Sequence, residues 1–194
     1  VPHCTITTIA ESPLREGHLW VGTDDGKVWV TKDGGARFTD LTDRFPAPVQ
    51  GLWVSRVEAS PHEADTAFVS FTGYREDIRD AYVFRTDDGG ESWLSIAHEL
   101  PREPVNVVRQ HPRNASVLFV GTEMDVHVSI DDGAHWAPLG YGLPRAAAHD
   151  LLIHPSHPHL LVGTHGRGIF RSDTYLGAEE LTLETAVDQR NLLV

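Results

Sequence analysis

One octapeptide pattern, used three times, constrains this chain more than any other feature. Thr31-Lys32-Asp33-Gly34-Gly35-Ala36-Arg37-Phe38, Thr86-Asp87-Asp88-Gly89-Gly90-Glu91-Ser92-Trp93 and Ser129-Ile130-Asp131-Asp132-Gly133-Ala134-His135-Trp136 all read Ser/Thr-x-Asp-x-Gly-x-x-aromatic. From Asp33 to Asp88 is 55 residues, and from Asp88 to Asp131 is 43. Recurrence at this spacing marks a repeat architecture, and it has to be recognised before any local reading.

Two further landmarks keep the same period. An apolar run closing on Gly-Thr or its equivalent appears as Leu19–Thr23, Ala67–Phe71, Leu118–Thr122 and Leu160–Thr164. A strand running into proline recurs at Pro13, Pro61, Pro112 and Pro155. Four units follow, at about residues 3–48, 49–101, 102–144 and 145–175, with 176–194 as a C-terminal tail or closing strand. The fourth unit lacks the box, since Ser172-Asp173-Thr174-Tyr175 carries no glycine. Each unit reads as four short strands rich in Val, Ile, Leu, Trp and Thr, separated by Gly, Pro or Asp. In the third unit these are Val105–Arg109, Val117–Gly121, Val126–Ile130 and about Trp136–Leu139. Units of about 40–50 residues with four strands apiece predict an all-β chain of β-propeller blades. The segment Leu181–Thr185 reads either as the outer strand of the fourth blade or as part of a helical tail.

Composition narrows the function classes. The chain has 194 residues, 28 Asp and Glu against 16 Lys and Arg, and a formal net charge of −12. Nucleic-acid and anionic-membrane binding both need clustered cations, so neither is expected. No apolar run reaches the roughly 18 residues of a membrane-spanning helix. The single cysteine, Cys4, rules out an intrachain disulfide framework and a cysteine-based zinc cage. Nothing predicts a cofactor. The histidine-rich stretch His154–His159 invites a metal reading, yet His111-Pro112 and Ser60-Pro61-His62 hold the same place in earlier units, so it reads as a turn and no metal site is expected.

In each box the aspartate can accept hydrogen bonds from backbone N–H groups ahead of it, and the glycine two residues on can take the positive φ that closes the turn. Asp33, Asp88 and Asp131 are expected to fasten turns, with Gly35, Gly90 and Gly133 closing them. Phe38, Trp93 and Trp136 are expected to bury themselves between neighbouring sheets. The spacing differs from an Asp-x-Asp-x-Asp-Gly calcium loop.

The boxes resemble the Asp-box, or bacterial neuraminidase repeat, of β-propellers found in sialidases, sortilin-type receptors, xyloglucan-active glycosidases and photosystem assembly factors. Trp20–Gly26, Trp53–Arg56 and Gly163–Ile169 are similar to bacterial exported proteins grouped with the sortilin N-terminal propeller and labelled glycosyl hydrolase. The resemblance, over about residues 5–172, implies a larger propeller of which this is a portion, an extracytoplasmic or secreted location, and a binding or glycosidase role. Phe-Arg-Ile-Pro and a three-arginine set are absent, so it does not extend to a sialidase site.

With strands lettered a to d outward, the resemblance implies a working face built from b–c and d–a loops, away from the boxes. There the candidate ligand-binding residues are Tyr74, Arg75 and Asp77, in a loop longer than its counterparts, and His165 and Arg167, among three glycines. Asp24, Glu123 and Asp125 are the acids that would serve glycoside hydrolysis if they converged in pairs. Two functions stay open: a binding or scaffold module for a glycan or protein ligand, and a fragment of a glycoside hydrolase acting on polysaccharide. Incomplete blade faces are expected to favour self-association or further blades of a longer chain.

Overall fold

The computed structural model describes residues 4–139, 143–157, 159–172 and 192–193. The chain divides into two compact units, Val1–Val105 and Asn106–Val194. The first holds two antiparallel sheets: β1 (Ile6–Glu11), β2 (Leu19–Thr23), β3 (Val28–Thr31) and β4 (Thr39–Asp40), then β5 (Trp53–Ala59), β6 (Ala67–Thr72), β7 (Tyr82–Thr86) and β8 (Leu94–Ser95). The second holds two more: β9 (Val105–Gln110), β10 (Leu118–Thr122), β11 (Val126–Ser129) and β12 (Ala137–Pro138), then β13 (Ala148–Ile153), β14 (Leu160–Thr164), β15 (Gly168–Ser172) and β16 (Leu192–Leu193). Strands neighbour in sequence order within every sheet. The strands of the third sheet sit within one or two residues of the boundaries expected from the sequence. In the fourth sheet the outer strand is Leu192–Leu193, paired with β15, while Leu181–Ala186 lies outside the described residues. The outer strands of the first three sheets have two residues each, which leaves little open edge for another chain to pair with.

Alternation along the strands decides how the sheets stack. Ala10, Trp20 and Val30 are direct cross-strand partners and share one face of the first sheet. On the second sheet Val57, Val69 and Phe84 are partners in the same way. Trp20, Val28 and Val30 meet Val57, Val69 and Phe84 in one buried cluster, filled out by Leu41, Phe45 and Phe71. The Phe45 ring lies 5.1 Å from Phe71 and 4.6 Å from Trp93, and Trp93 meets Trp20 edge-on at 6.0 Å. In the second unit Val117, Phe119, Val126 and Val128 of the third sheet pack on Leu151, Val162 and Phe170 of the fourth. Each unit is therefore two sheets joined face to face, one pair of layers around one core.

The boxes lie between the third and fourth strands of the first three sheets. In the second, the Thr86 hydroxyl donates to Asp88 Oδ1 at 2.7 Å and accepts the Gly90 N–H at 2.9 Å. The same Asp88 oxygen accepts the Ser92 N–H at 3.0 Å. Thr31, Asp33, Gly35 and Arg37 repeat this in the first sheet, and Ser129, Asp131, Gly133 and His135 in the third. The small hydroxyl residue that opens each box is thus the hub of the turn, a role the sequence pattern contains without explaining. Gly35, Gly90 and Gly133 have φ of 93°, 90° and 86°, the left-handed region that L side chains avoid. Hydrogen bonds from Arg37 N–H and Thr31 hold Asp33 below the ordinary carboxylate range, and bonds from the Ser92 side chain and backbone do so for Asp88. For Asp131 burial pulls upward, but bonds from the His135 side chain and backbone and from Ser129 outweigh it.

The three box aromatics differ in burial: Trp136 is buried, and Trp93 is partly buried against the first unit's core. Phe38 is 48% exposed. Trp93 packs against Trp20 of the first sheet and Phe45 of the connection after that sheet, contacts that Phe38 does not share.

His18 is completely buried, its ring 5.3 Å from Trp20. Burial, then the charges of Lys32 and Arg15, lowers its pKa from the ordinary imidazole value. The folded state therefore resists a proton that the unfolded chain takes up at about pH 6.5. Stability is expected in full above that pH and to decline as the pH falls below it, until His18 protonates in the fold. Denaturant unfolding between pH 7.5 and 5 should show this slope reduced in His18→Gln; an identical slope in the variant would rule His18 out as its source.

Candidate functional site

The geometry separates two ends of each sheet. At one end the box turns bond to the a–b loops: Gly34 N–H to the Gly17 carbonyl, Gly89 to Asp65 and Asp132 to Ser116, at 2.8–3.0 Å. The prolines sit in these loops, where one residue repeatedly receives the turn's N–H groups. Ser60 Oγ accepts from His62 and Glu63, His111 Nδ1 from Arg113 and Asn114, and His154 Nδ1 from Ser156 and His157. A histidine here substitutes for a serine as a turn acceptor, which accounts for His111 and for His154. Among the described residues no group of three His, Cys, Asp or Glu is placed to hold a metal ion.

At the other end the b–c loops meet the d–a connections. In the second unit the Ala146 N–H donates to the Met124 carbonyl and the His165 N–H to the Ala147 carbonyl. In the first unit Gly26 lies against Gly51 and Leu52, and Arg102 pairs with Asp80 at 2.8 Å. Each unit thus collects its longer loops at the end away from its boxes.

The loop between β6 and β7 carries three of the expected ligand-binding residues. Gly73 starts a single 3-10 turn over Tyr74–Glu76, and its carbonyl accepts the N–H groups of Glu76 and Ile78 at 3.0 Å. The chain leaves through Asp77, held at φ 56°. This conformation sends Arg75 back across β5, its guanidinium 3.9 Å from the centre of the Trp53 ring. Such stacking contributes about 0.5–1 kcal/mol at an exposed site and fixes the guanidinium plane. Tyr74 is exposed beside it. Asp77 lies 3.9 Å from Arg79, both nearly fully solvated, so that pair adds little rigidity. Tyr82 packs partly buried against the first unit's core, and that burial, with the charge of Asp80, raises its phenol pKa.

His165 and Arg167 are exposed in the loop between β14 and β15, and Gly166 and Gly168 take positive φ on either side of Arg167. The His165 ring lies 5.3 Å from that of His149, a residue the sequence reading passed over. A signal for it exists. His149 holds the same place in its inner strand as Thr7, Ser55 and Asn106, counting back from the prolines, and the ladder slips at Thr7, Ser55 and His149. A polar residue interrupting each apolar inner strand marks a bulge that re-aims a side chain toward the loop end. Thr7 Oγ1 donates to the Val54 carbonyl, Ser55 Oγ to the Val105 carbonyl, and Asn106 Nδ2 to Glu123 Oε1.

The candidate acids each have hydrogen-bond donors within their own unit. Asp24 Oδ1 accepts the N–H groups of Cys4 and Thr5 at 2.9 and 2.8 Å, anchoring the start of the first strand. Asp125 Oδ1 accepts the Val126 N–H, and Glu123 is held by Asn106. Asp24 and Glu123 thus tie their b–c loops to the start of the inner strand of the same sheet, and Asp125 shapes its own turn.

Neighbours of known structure decide the architecture. A GH74 xyloglucanase from Xanthomonas campestris superposes on 87% of the chain with a TM-score of 0.67 at 17% identity. YCF48 bound to the D1 peptide superposes on 91% with a TM-score of 0.65 at 16% identity. The chain has a β-propeller fold. Its propeller portion corresponds to 29% of that xyloglucanase and 54% of that YCF48, and at these identities the likeness is one of fold alone. In sequence, 97 residues, half of the chain, are 30% identical to the oligoxyloglucan-reducing end-specific xyloglucanase of Emericella nidulans, spanning 11% of that enzyme. No protein-family model matches the propeller sequence. Among the described residues no helix is long and apolar enough to cross a membrane.

Proposed function

We propose that this chain is the ligand-holding portion of a larger extracytoplasmic propeller, and that its loop end grips a glycan chain. The observation that carries the reading is the Trp53–Arg75 stack beside exposed Tyr74 on the long β6–β7 loop. An aromatic surface with one fixed guanidinium matches a sugar ring, which offers an apolar C–H face and hydroxyl acceptors at its edge. The half-chain likeness to a xyloglucanase supports a polysaccharide as the first ligand to try. In the second unit the His165 and His149 rings, with exposed Arg167 in the same loop as His165, form a separate candidate ligand surface.

In this reading the chain binds and positions while chemistry, if the whole protein performs any, belongs elsewhere. Asp24 already accepts the Cys4 and Thr5 N–H groups, Glu123 the Asn106 amide and Asp125 the Val126 N–H, which supports structural roles for them. The same xyloglucanase likeness motivates the hydrolase alternative, and YCF48, whose structure holds a peptide, motivates a protein ligand.

Calorimetric titration with xyloglucan oligosaccharides separates these. Arg75→Ala and Tyr74→Ala are each expected to weaken binding about tenfold, the equivalent of about 1.4 kcal/mol, with unfolding midpoints unchanged. Binding indifferent to both would remove this loop from the site. Turnover of the oligosaccharide that disappears in Glu123→Gln or Asp125→Asn would replace the binding reading with the hydrolase.

A further inference from the structure

The third and fourth sheets place different chemistry at one matching point. Asn106 and His149 stand at the same distance in sequence before Pro112 and Pro155, while Glu123 and His165 each follow the threonine that closes the second strand. In the third sheet the two side chains are complementary, and Asn106 Nδ2 donates to Glu123 Oε1 at 2.9 Å. In the fourth the same two positions bring together two imidazole rings, with centres 5.3 Å apart and planes inclined at 53°. Each pair lies within a single sheet, so neither depends on what adjoins that sheet.

The backbone fixes the approach of the two rings. The ladder between β13 and β14 slips between Ala148 and Asp150, which makes His149 the bulged residue and re-aims its side chain. The His165 N–H donates to the Ala147 carbonyl at 2.9 Å, tying the loop that carries one ring to the start of the strand that carries the other. A donor and an acceptor satisfy one another, as Asn106 and Glu123 do. Two neutral imidazoles instead bring a nitrogen lone pair each. The species that takes up both is a divalent transition-metal ion, for which neutral imidazole is the commonest protein ligand. With zinc–nitrogen bonds of about 2.0–2.1 Å, two imidazoles on one tetrahedral ion have ring centres about 5 Å apart, close to the 5.3 Å between these rings.

We propose that His149 and His165 form a two-histidine site for a divalent transition-metal ion such as zinc. Among the described residues no group of three His, Cys, Asp or Glu is placed to hold an ion, so the site is open, with its remaining coordination positions left to water or to an oxygen of a bound ligand. It differs from the His154–His159 turn, where His154 Nδ1 already accepts the N–H groups of Ser156 and His157. It lies in the second unit and stands independently of the glycan reading of the β6–β7 loop.

Calorimetric titration of the untagged 194-residue chain with zinc chloride near pH 7.5 tests this. Wild type is expected to bind zinc at a site that His149→Ala and His165→Ala each weaken more than tenfold, while His157→Ala, in the turn, leaves it unchanged. The double variant His149→Asn with His165→Glu installs the third sheet's pair. It should keep the unfolding midpoint of wild type and lose the zinc site, which separates a lost ligand from a lost fold. With one equivalent of Cu2+ as a spectroscopic probe, electron paramagnetic resonance should show two coordinated nitrogens in wild type and no more than one in each single variant. A wild type that takes up no zinc at about 1 mM, zinc affinity unchanged in either single variant, or an equal loss in His157→Ala would each overturn the proposal.

Discussion

Replacing Trp20 by alanine is expected to lower the stability of the first unit by about 3–5 kcal/mol, the largest effect of any single truncation in the chain. Trp20 is completely buried and is the largest side chain in that state. It lies on the face of the first sheet that receives the second, against Trp93 and His18, and its ring edge sits beside Gly90 of the second box. An alanine would leave a cavity bordered by two sheets and a hydrogen-bonded turn. Those walls cannot close inward, because the strands are fixed by their ladders and Gly90 by its bond to Thr86. Denaturant unfolding measures the loss; a change below about 1 kcal/mol would mean that the two sheets do not depend on this contact for their packing.

The second large effect is expected from Gly26→Ala, at about 3 kcal/mol. The residue has φ of 82°, and a Cβ there would sit 2.8–2.9 Å from the Gly51 N, the Leu52 O and the Gly51 Cα. A left-handed conformation alone costs a non-glycine residue about 1–3 kcal/mol. The obstructing atoms are backbone, so relief requires moving the 49–52 connection rather than rotating a side chain. That connection leads directly into Trp53, so the variant should also disturb the surface on which Arg75 stacks. Unfolding and Arg75-dependent binding are therefore expected to fall together. Loss of stability with unchanged ligand affinity would uncouple the connection from the loop site.

The boxes were legible because their chemistry is local. A hydroxyl, a carboxylate and a glycine at fixed offsets can satisfy one turn without help from distant residues, so residue type and spacing were enough to place Asp33, Asp88 and Asp131. The exposure of Phe38 was not legible in the same way. Its pattern is that of Trp93, and the rings that cover Trp93 come from residues distant in sequence, which the box itself does not record. The Arg75–Trp53 stack lay out of reach for a related reason. The loop length drew attention to Arg75, but nothing periodic links it to the first residue of a strand in the same sheet. The partners of Asp24, Glu123 and Asp125 were legible only in part: the Val126 N–H beside Asp125 is local, whereas Cys4 and Thr5 reach Asp24, and Asn106 reaches Glu123, from positions distant in the chain. His149 was overlooked because a lone histidine in an apolar run attracts little notice until Thr7, Ser55 and Asn106 are set beside it.

The central functional claim is that the β6–β7 loop and Trp53 form a ligand surface while the box ends do not. Hydrogen–deuterium exchange with and without a saturating xyloglucan oligosaccharide measures this most directly. The account predicts slowed exchange over residues 72–81 and the 51–54 connection, with the turns at 31–38, 86–93 and 129–136 unchanged. Protection centred on the box turns, or none at the β6–β7 loop while the oligosaccharide is bound, would contradict it.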